Sequence, residues 1–375
     1  MAAGGFPRSM MAGKPHIMII GASGVFGSRL TELLTEEQGI SLTLAGRRLA
    51  PLERIASGRS TVKARSLDRD IVTARDLDGV DMVIDAAGPF QRSHSQVIEA
   101  AIAAKCQYID LADGRKFVAN ISRFDQAAKE ADIAVVTGAS SIPALSHAVI
   151  DHLTSGWQQI YNIRVGIFPG NRAPRGRAVV EAILSYTGKP VRVFRGGQWQ
   201  EQPGWGMTHR TDLPTVGKRW ASICDTPDQD LLVERYHPKN SAEFFAGLEL
   251  SVLHLGLLAL SLPVRWGLIP TLQPAAGIML WLAQRFLPFG SDKGAMDVYV
   301  DGLGAKGEAA AARWTLQADA NRGPYTPTLA ALAMVRRLRD DVYPWRGSMA
   351  CAGLLNLADF DKDFDALGMQ RQISH

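Results

Sequence analysis

From His16 to about Ala139, short apolar runs alternate with amphipathic stretches of helical period. The runs Ile17–Ile20, Ser41–Ala45, Met82–Asp85, Tyr108–Leu111 and Ile133–Val136 are nearly continuous in apolar residues. Such runs predict strands covered on both faces. Val25–Leu34, Ser95–Ala104 and Ile121–Glu130 carry the helical pattern between strands. Strand, helix, strand in repeated order predicts a doubly wound parallel sheet, a Rossmann-type α/β domain over residues 14–150.

Beyond residue 150 the pattern loosens. Tyr161–Phe168 alternates apolar and polar positions, as in a strand with one wet face. Gly176–Thr187 reads as a helix, and Val191–Trp199, Leu231–Arg235, Met296–Val300 and Ala311–Leu316 read as strands. Residues 151–345 are therefore expected to form a mixed α+β domain for substrate binding and dimerisation, and residues 346–375 a C-terminal helix returning to the first domain. Residues 1–13, rich in Gly and Ala, read as a loose extension, with Met10 or Met11 as alternative starts. They lack the apolar core of a signal peptide.

One stretch departs from both textures. Leu248–Phe289 is strongly apolar but interrupted by Glu249, His254, Pro263, Arg265, Pro270, Pro274 and Arg285. It is too broken for a transmembrane helix. Two readings remain: a pair of buried helices, or a surface that dips into a bilayer or accepts a lipid, flanked by Trp266 and Trp281.

Composition narrows the class without choosing a function. The 375 residues are 46% hydrophobic and 21% charged, ordinary for a globular chain with a sizeable core. The net charge of +4 is spread without a basic block, so nucleic acid is not an expected partner. Three widely spaced cysteines, Cys106, Cys224 and Cys351, predict free thiols in a reducing compartment, and the cytoplasm is the expected setting.

The chemistry starts where the first strand ends. Gly21-Ala22-Ser23-Gly24-Val25-Phe26-Gly27 has the spacing GxxGxxG between a strand and a helix. Gly21 suits a tight turn, Gly24 close approach of a pyrophosphate, and Gly27 close packing of helix on sheet. The second strand ends in Gly46-Arg47-Arg48, with guanidiniums where an NAD site usually carries an acid. Arg47 and Arg48 match a ribose 2′-phosphate, which makes NADP(H) the expected cofactor. Asp68, after the third strand, either meets the adenine or caps a helix. Ala86-Ala87-Gly88-Pro89 is small enough for cofactor to pass closely; Phe90 either walls the nicotinamide or packs in the core.

Candidates for proton transfer lie at later strand ends. Tyr108 and Asp110 share a strand face, and Asp113 lies in the loop beyond. His147 sits in the following helix, and His94 after the fourth strand. Ser140 and Ser141 either bind substrate or cap a helix. Tyr325, between prolines, is a candidate for lining a pocket. The Tyr-x-x-x-Lys pair of short-chain dehydrogenases is absent, as Tyr186 precedes Lys189 and Tyr236 precedes Lys239 by three positions. No HExxH, paired cysteine or GxSxG pattern occurs, so no metal is expected.

Together Gly21–Gly27, Gly46-Arg47-Arg48, Ala86–Phe90, Tyr108-Ile109-Asp110-Leu111, Gly138–Leu145 and Gly323-Pro324-Tyr325-Thr326-Pro327 resemble the saccharopine dehydrogenase-like family of NADP-binding oxidoreductases. The resemblance implies a Rossmann domain followed by a mixed domain, with the last helices returning to the first. It implies hydride transfer to or from C=N bonds of amino-acid-derived imines, or polarised C=C bonds of lipid-like chains. Several members carry an acid a few residues after the Tyr-x-Asp piece; here Asp113-Gly114 occupies that stretch. A dense Arg set would suit an amino-acid-like substrate, with Arg172, Arg175 and Arg177 as candidates, whereas Leu248–Phe289 suits a hydrophobic one. The reading from another class is a non-catalytic NADP-binding sensor or lipid-associated scaffold. A homodimer and peripheral contact with the inner face of a membrane complete the expectations.

Overall fold

The structure, a computed structural model, describes residues 13–375. Nearly all of the expected N-terminal extension, with Met10 and Met11, lies outside the described residues. The first sheet contains β1 (His16–Ile20), β2 (Ser41–Gly46), β3 (Val62–Ser66), β4 (Met82–Asp85), β5 (Gln107–Asp110) and β6 (Ala134–Thr137). Their spatial order is β6-β5-β4-β1-β2-β3, every pair parallel. This is the doubly wound order, whose ligand crevice opens at the carboxyl ends of the strands beside the β1/β4 reversal. The apolar runs follow from coverage on both faces: Ile17 and Ile19 pack into one core, Met18 and Ile20 into another.

The second domain is a mixed sheet. Its strands are β7 (Gln159–Phe168), β8 (Pro190–Arg195), β9 (Gln198–Pro203), β10 (His209–Leu213), β11 (Gly217–Ile223), β12 (Ser241–Ala246), β13 (Gly294–Leu303) and β14 (Ala309–Ala318). β7 pairs parallel with β12 and antiparallel with β13. One face packs into the core through Ile163, Val165, Val298 and Trp314, while the other presents Arg164, Glu243, Tyr299 and Arg313. The alternation read in Tyr161–Phe168 is this one-sided burial.

Some elements differ from expectation, each for a local reason. Val191–Trp199 is not one strand: Gly196 and Gly197, both at positive φ, turn β8 back into β9. Leu231–Arg235 belongs to a helix, Asp228–Tyr236, not a strand. Asp228 and Asp230 in its first turn favour the helix N-terminus, and Leu232 packs inward. Ile121–Glu130 splits into a 3₁₀ turn, Asn120–Phe124, and a helix, Asp125–Glu130.

The C-terminal expectation also needs correction. Strand β15 (Gly347–Ala350), not a helix, returns to the first domain, pairing with β6 as a seventh parallel strand. The helix Ala358–Ala366 packs instead on Thr326–Arg339, and β16 (Gln370–Ser374) extends the second sheet beside β14. Thr326–Arg339 in turn lies against Val25–Thr35. Arg336 and Arg339 both pair with Glu37 just beyond that first helix. The two domains thus share one continuous core rather than a flexible joint.

Leu248–Phe289 forms two helices, Ser251–Arg265 and Ala276–Arg285. The pair is covered on one side only: Leu257, Val264, Leu272 and Ala276 pack in the core, whereas Val252, Leu260, Trp266, Leu268, Ile278, Trp281 and Phe289 are exposed. Among the described residues no helix is long and apolar enough to cross a membrane.

Candidate functional site

The glycine turn is built without room for side chains. Gly21 has φ +81°, and a Cβ there would come within 2.9 Å of Ala87. A Cβ on Gly27 would collide with the Gly21 carbonyl, and one on Gly24 would lie 3.1 Å from the same oxygen. The helix Val25–Thr35 then starts with Gly24 as an extended cap, with no side-chain cap and no acid in its first turn. Its first N–H groups and positive dipole end are left to an external acceptor, which fits a pyrophosphate.

At the end of β2, Arg47 and Arg48 are exposed, and their guanidiniums make no ion pair or hydrogen bond with the described residues. This is the donor set a ribose phosphate needs. Asp68 neither caps a helix nor is fully exposed: its carboxylate accepts the Asp70 N–H at 3.1 Å in a tight turn. The next short helix is capped by Thr73 with Asp76.

Asp85, fully buried at the end of β4, accepts the Ala87 N–H at 3.0 Å and pairs with Arg69. Those contacts set the path of Ala86–Pro89 beside the glycine turn. Burial raises the Asp85 pKa, with Arg69 acting against the rise. Phe90 is filled by packing against Phe117, ring centroids 5.3 Å apart, with Arg69 over its other side. At 5% exposure it packs in the core, the second of its two expected environments. His94 faces a separate recess of about 380 Å³ lined by Phe90, Lys116, Phe117 and Arg123.

Tyr108 and Asp110 are drawn inside the protein. The Tyr108 hydroxyl donates to Asp110 Oδ2 at 2.9 Å. Asp110 Oδ1 accepts the Ala112 N–H, the Gly138 N–H and the Thr137 hydroxyl at 2.8–2.9 Å. The carboxylate therefore ties the turns after β5 and β6 together. Burial lifts its pKa to about 6, with the Gly138 and Ala112 N–H groups limiting the rise. Both residues are fully buried, so their position is that of a structural knot behind the site rather than a surface for substrate.

His147 is also misplaced for proton donation. It lies fully buried in the helix Ser146–Leu153, and burial drives its pKa down to about 3. Its Nε2 sits 3.9 Å from Asp228, whose own pKa burial raises to about 7. Ser140 and Ser141 are nearly buried in the turn after β6, and neither hydroxyl caps a helix. The Tyr325 hydroxyl donates to Glu32 at 2.6 Å, joining the Thr326–Arg339 helix to the first helix instead of opening onto the cleft.

Asp113 is different. It is exposed just beyond β5, and its Oδ1 accepts the Gln91 amide at 3.1 Å. The second domain closes over it. Gly176, before the helix Arg177–Tyr186, approaches so closely that a Cβ would lie 3.2 Å from Val25 in the glycine turn. At the other end of that helix, Tyr186 contacts Cys224 and feels the charges of Asp113 and Asp225. One helix of the second domain thus spans the cleft from the phosphate end to Asp113. Its flanking arginines have local partners: Arg175 donates to Asn171, Arg177 to Glu181, and Arg172 to the Pro288 carbonyl.

A clamp that the sequence does not announce holds this geometry. Arg115, two residues after Asp113, makes a double hydrogen bond to Asp230 at 2.6 Å each and reaches Asp225 at 3.1 Å. Its partners lie more than a hundred residues away, which leaves no local signal. Tyr186 and Cys224 likewise meet only through tertiary structure.

This fold and turn define an α/β protein with a Rossmann-type dinucleotide-binding domain. Residues 17–136 match the family model of the saccharopine dehydrogenase NADP binding domain. The chain as a whole is of saccharopine dehydrogenase-like architecture. It is similar to apo saccharopine dehydrogenase (L-Glu forming) from Saccharomyces cerevisiae, at TM-score 0.68 and 14% identity, over 96% of this chain and 100% of that one. A meso-DAPDH mutant with DAP from Clostridium tetani is more distant, at TM-score 0.48 and 11% identity over 94% and 99%. No curated protein sequence matches the chain. At such identities the likeness to solved structures is one of fold.

Proposed function

We propose that this protein is an NADP(H)-dependent oxidoreductase acting on a C=N or polarised C=C bond of an apolar substrate, with Asp113 handling the proton. When bound, the dinucleotide supplies or accepts the hydride. The chain's own residues do the rest. Gly21–Gly27 and the first-turn N–H groups hold the pyrophosphate, and Arg47 with Arg48 holds a 2′-phosphate. Ala87 and Gly88 leave space beside the ring, and Tyr186 closes the cleft from the second domain. In the reducing direction, hydride goes to carbon while the Asp113 carboxyl gives its proton to nitrogen or to the neighbouring carbon. Solvent then reprotonates Asp113.

The observation that supports this reading is the place of Asp113: an exposed carboxyl just beyond the carboxyl end of β5, the edge where such sheets bind their ligands. A carboxyl within reach of a bound substrate can pass a proton to it or take one from it. The apolar substrate is favoured because the helical pair 251–285 stands at the cleft rim, where Arg92 bonds Gln273 at 2.7 Å.

The test is NADPH consumption with a panel of cyclic imines and 2-enoyl thioesters. Asp113→Asn should lower turnover by roughly 10²–10⁴-fold with NADPH affinity kept. Arg47→Ala should weaken NADPH about tenfold or more while sparing NADH. Equal loss for both cofactors would remove the 2′-phosphate assignment. Tight NADPH binding without turnover on either substrate class would favour the non-catalytic sensor.

A further inference from the structure

The helical pair buries one side, through Leu257, Val264, Leu272 and Ala276, and leaves a large apolar face outside. Part of the inward side of Ser251–Arg265 is polar: His254 is fully buried, with Nε2 2.8 Å from the Ser222 hydroxyl and Nδ1 accepting the Leu248 N–H at 3.2 Å. Ser261 is buried beside it. Many apolar residues point outward, with Trp266 66%, Leu268 71% and Ile278 65% exposed. Eleven of the sixteen exposed large hydrophobic side chains of the described chain fall between Val252 and Phe289. Scattered exposed apolar residues need no explanation, but a contiguous set of this kind marks an interaction surface.

The exposure is held in place, not frayed. Glu249 accepts the Asn171 N–H at 2.6 Å and the Ser291 N–H at 2.9 Å, and pairs with Arg219 at 3.1 Å. Asn171 donates to the Phe286 and Phe289 carbonyls at 2.6 Å each. Both ends of the pair are therefore clamped to the second domain.

We propose that this face docks on the surface of an anionic phospholipid bilayer. Charge decides between partners. From position 250 to 291 there is no Asp or Glu, and the charged residues are Arg265 and Arg285, both exposed. Each lies beside a tryptophan: Arg265 precedes Trp266, and Arg285 stands 5.0 Å over the Trp281 ring. Tryptophan with arginine at the edge of an apolar face suits the headgroup layer. A symmetric self-contact would bring this patch against itself, with two arginines per copy and no acid to meet them. Helices of 15 and 10 residues are too short to span a bilayer and are suited to lying in its plane. Docked this way, the Arg92–Gln273 contact brings the cleft rim to the lipid surface. The inference rests on this surface alone and stands whether or not the oxidoreductase reading does.

The experiment is vesicle flotation of the full chain, with phosphatidylcholine alone or mixed with phosphatidylglycerol, alongside light scattering for oligomeric state. The protein should float with the mixed vesicles. Trp266→Ser with Leu268→Ser should lose roughly tenfold or more of that binding, with an unchanged melting temperature. Arg265→Glu with Arg285→Glu should remove the preference for the anionic lipid. Absence of flotation with the mixed vesicles overturns the proposal. So does a dimer that the serine variant splits while lipid binding is nil, which would make a second copy the occupant. Equal binding to neutral vesicles overturns the anionic requirement.

Discussion

The ends of β5 and β6 and the helical pair 251–285 treat residue chemistry in opposite ways. Around the strand ends, polar groups are buried: Asp85, Asp110, His147 and Asp228 all lack solvent contact. In the helical pair, tryptophan, isoleucine and leucine are exposed. Hydrophobicity alone therefore assigns neither region. Burial follows from what the neighbouring elements cover, and at the strand ends two domains converge where backbone turns need internal partners. The helical pair has only one side covered.

This contrast can be broken at three points. Leu145, fully buried in the turn after β6, should cost about 2–5 kcal/mol of stability as Leu145→Ala, measured by denaturant unfolding. A change below about 1 kcal/mol would mean the strand-end region is loosely packed. Asp228 gives a pH test of intermediate size. Its folded pKa, about 7, lies above the unfolded value, so the folded state binds its proton more tightly. That group's contribution is complete at acid pH and is lost as pH rises toward 7. Asp228→Asn should match the wild type near pH 4 (~4, the usual carboxylate range) and exceed it at pH ~8 by on the order of 1 kcal/mol or more. His147 acts oppositely: with its pKa held at about 3, it costs stability as pH falls below the usual histidine range. A variant less stable than wild type at the higher pH would show that the ionised carboxylate is favourably held. The smallest effect belongs to the helical pair. Ile278→Ser, at an exposed position, should shift stability by no more than about 0.5 kcal/mol. A loss of several times that would mean the pair is covered in solution by another copy.

Much of the first domain was legible because its signals are local. Continuous apolar runs require two-sided cover, and Gly21, Gly24 and Gly27 sit where a Cβ would touch the backbone or Ala87. Arg47 and Arg48 follow β2 directly, so their position needed only the strand. Elsewhere local signals pointed to the wrong environment. Tyr108 and Asp110 do share a strand face, but that face turns into the core, where they bond to each other. His147 stands one residue into its helix with no room for solvent. Leu231–Arg235 has strand-like residues, yet Asp228 and Asp230 start a helix before it.

By itself, then, the sequence determined the parallel sheet, the glycine turn and the guanidiniums after β2, because each depends on residues adjacent in the chain. Tertiary structure alone decided which carboxyl stays exposed, since Asp113 lies only three positions from the fully buried Asp110. It also decided the Arg115 clamp to Asp225 and Asp230, whose partners are distant in sequence. And it decided that much of the most apolar stretch faces outward, because only the side carrying His254, Leu257, Ser261 and Val264 is covered and the tethers at Glu249 and Asn171 hold the helices that way.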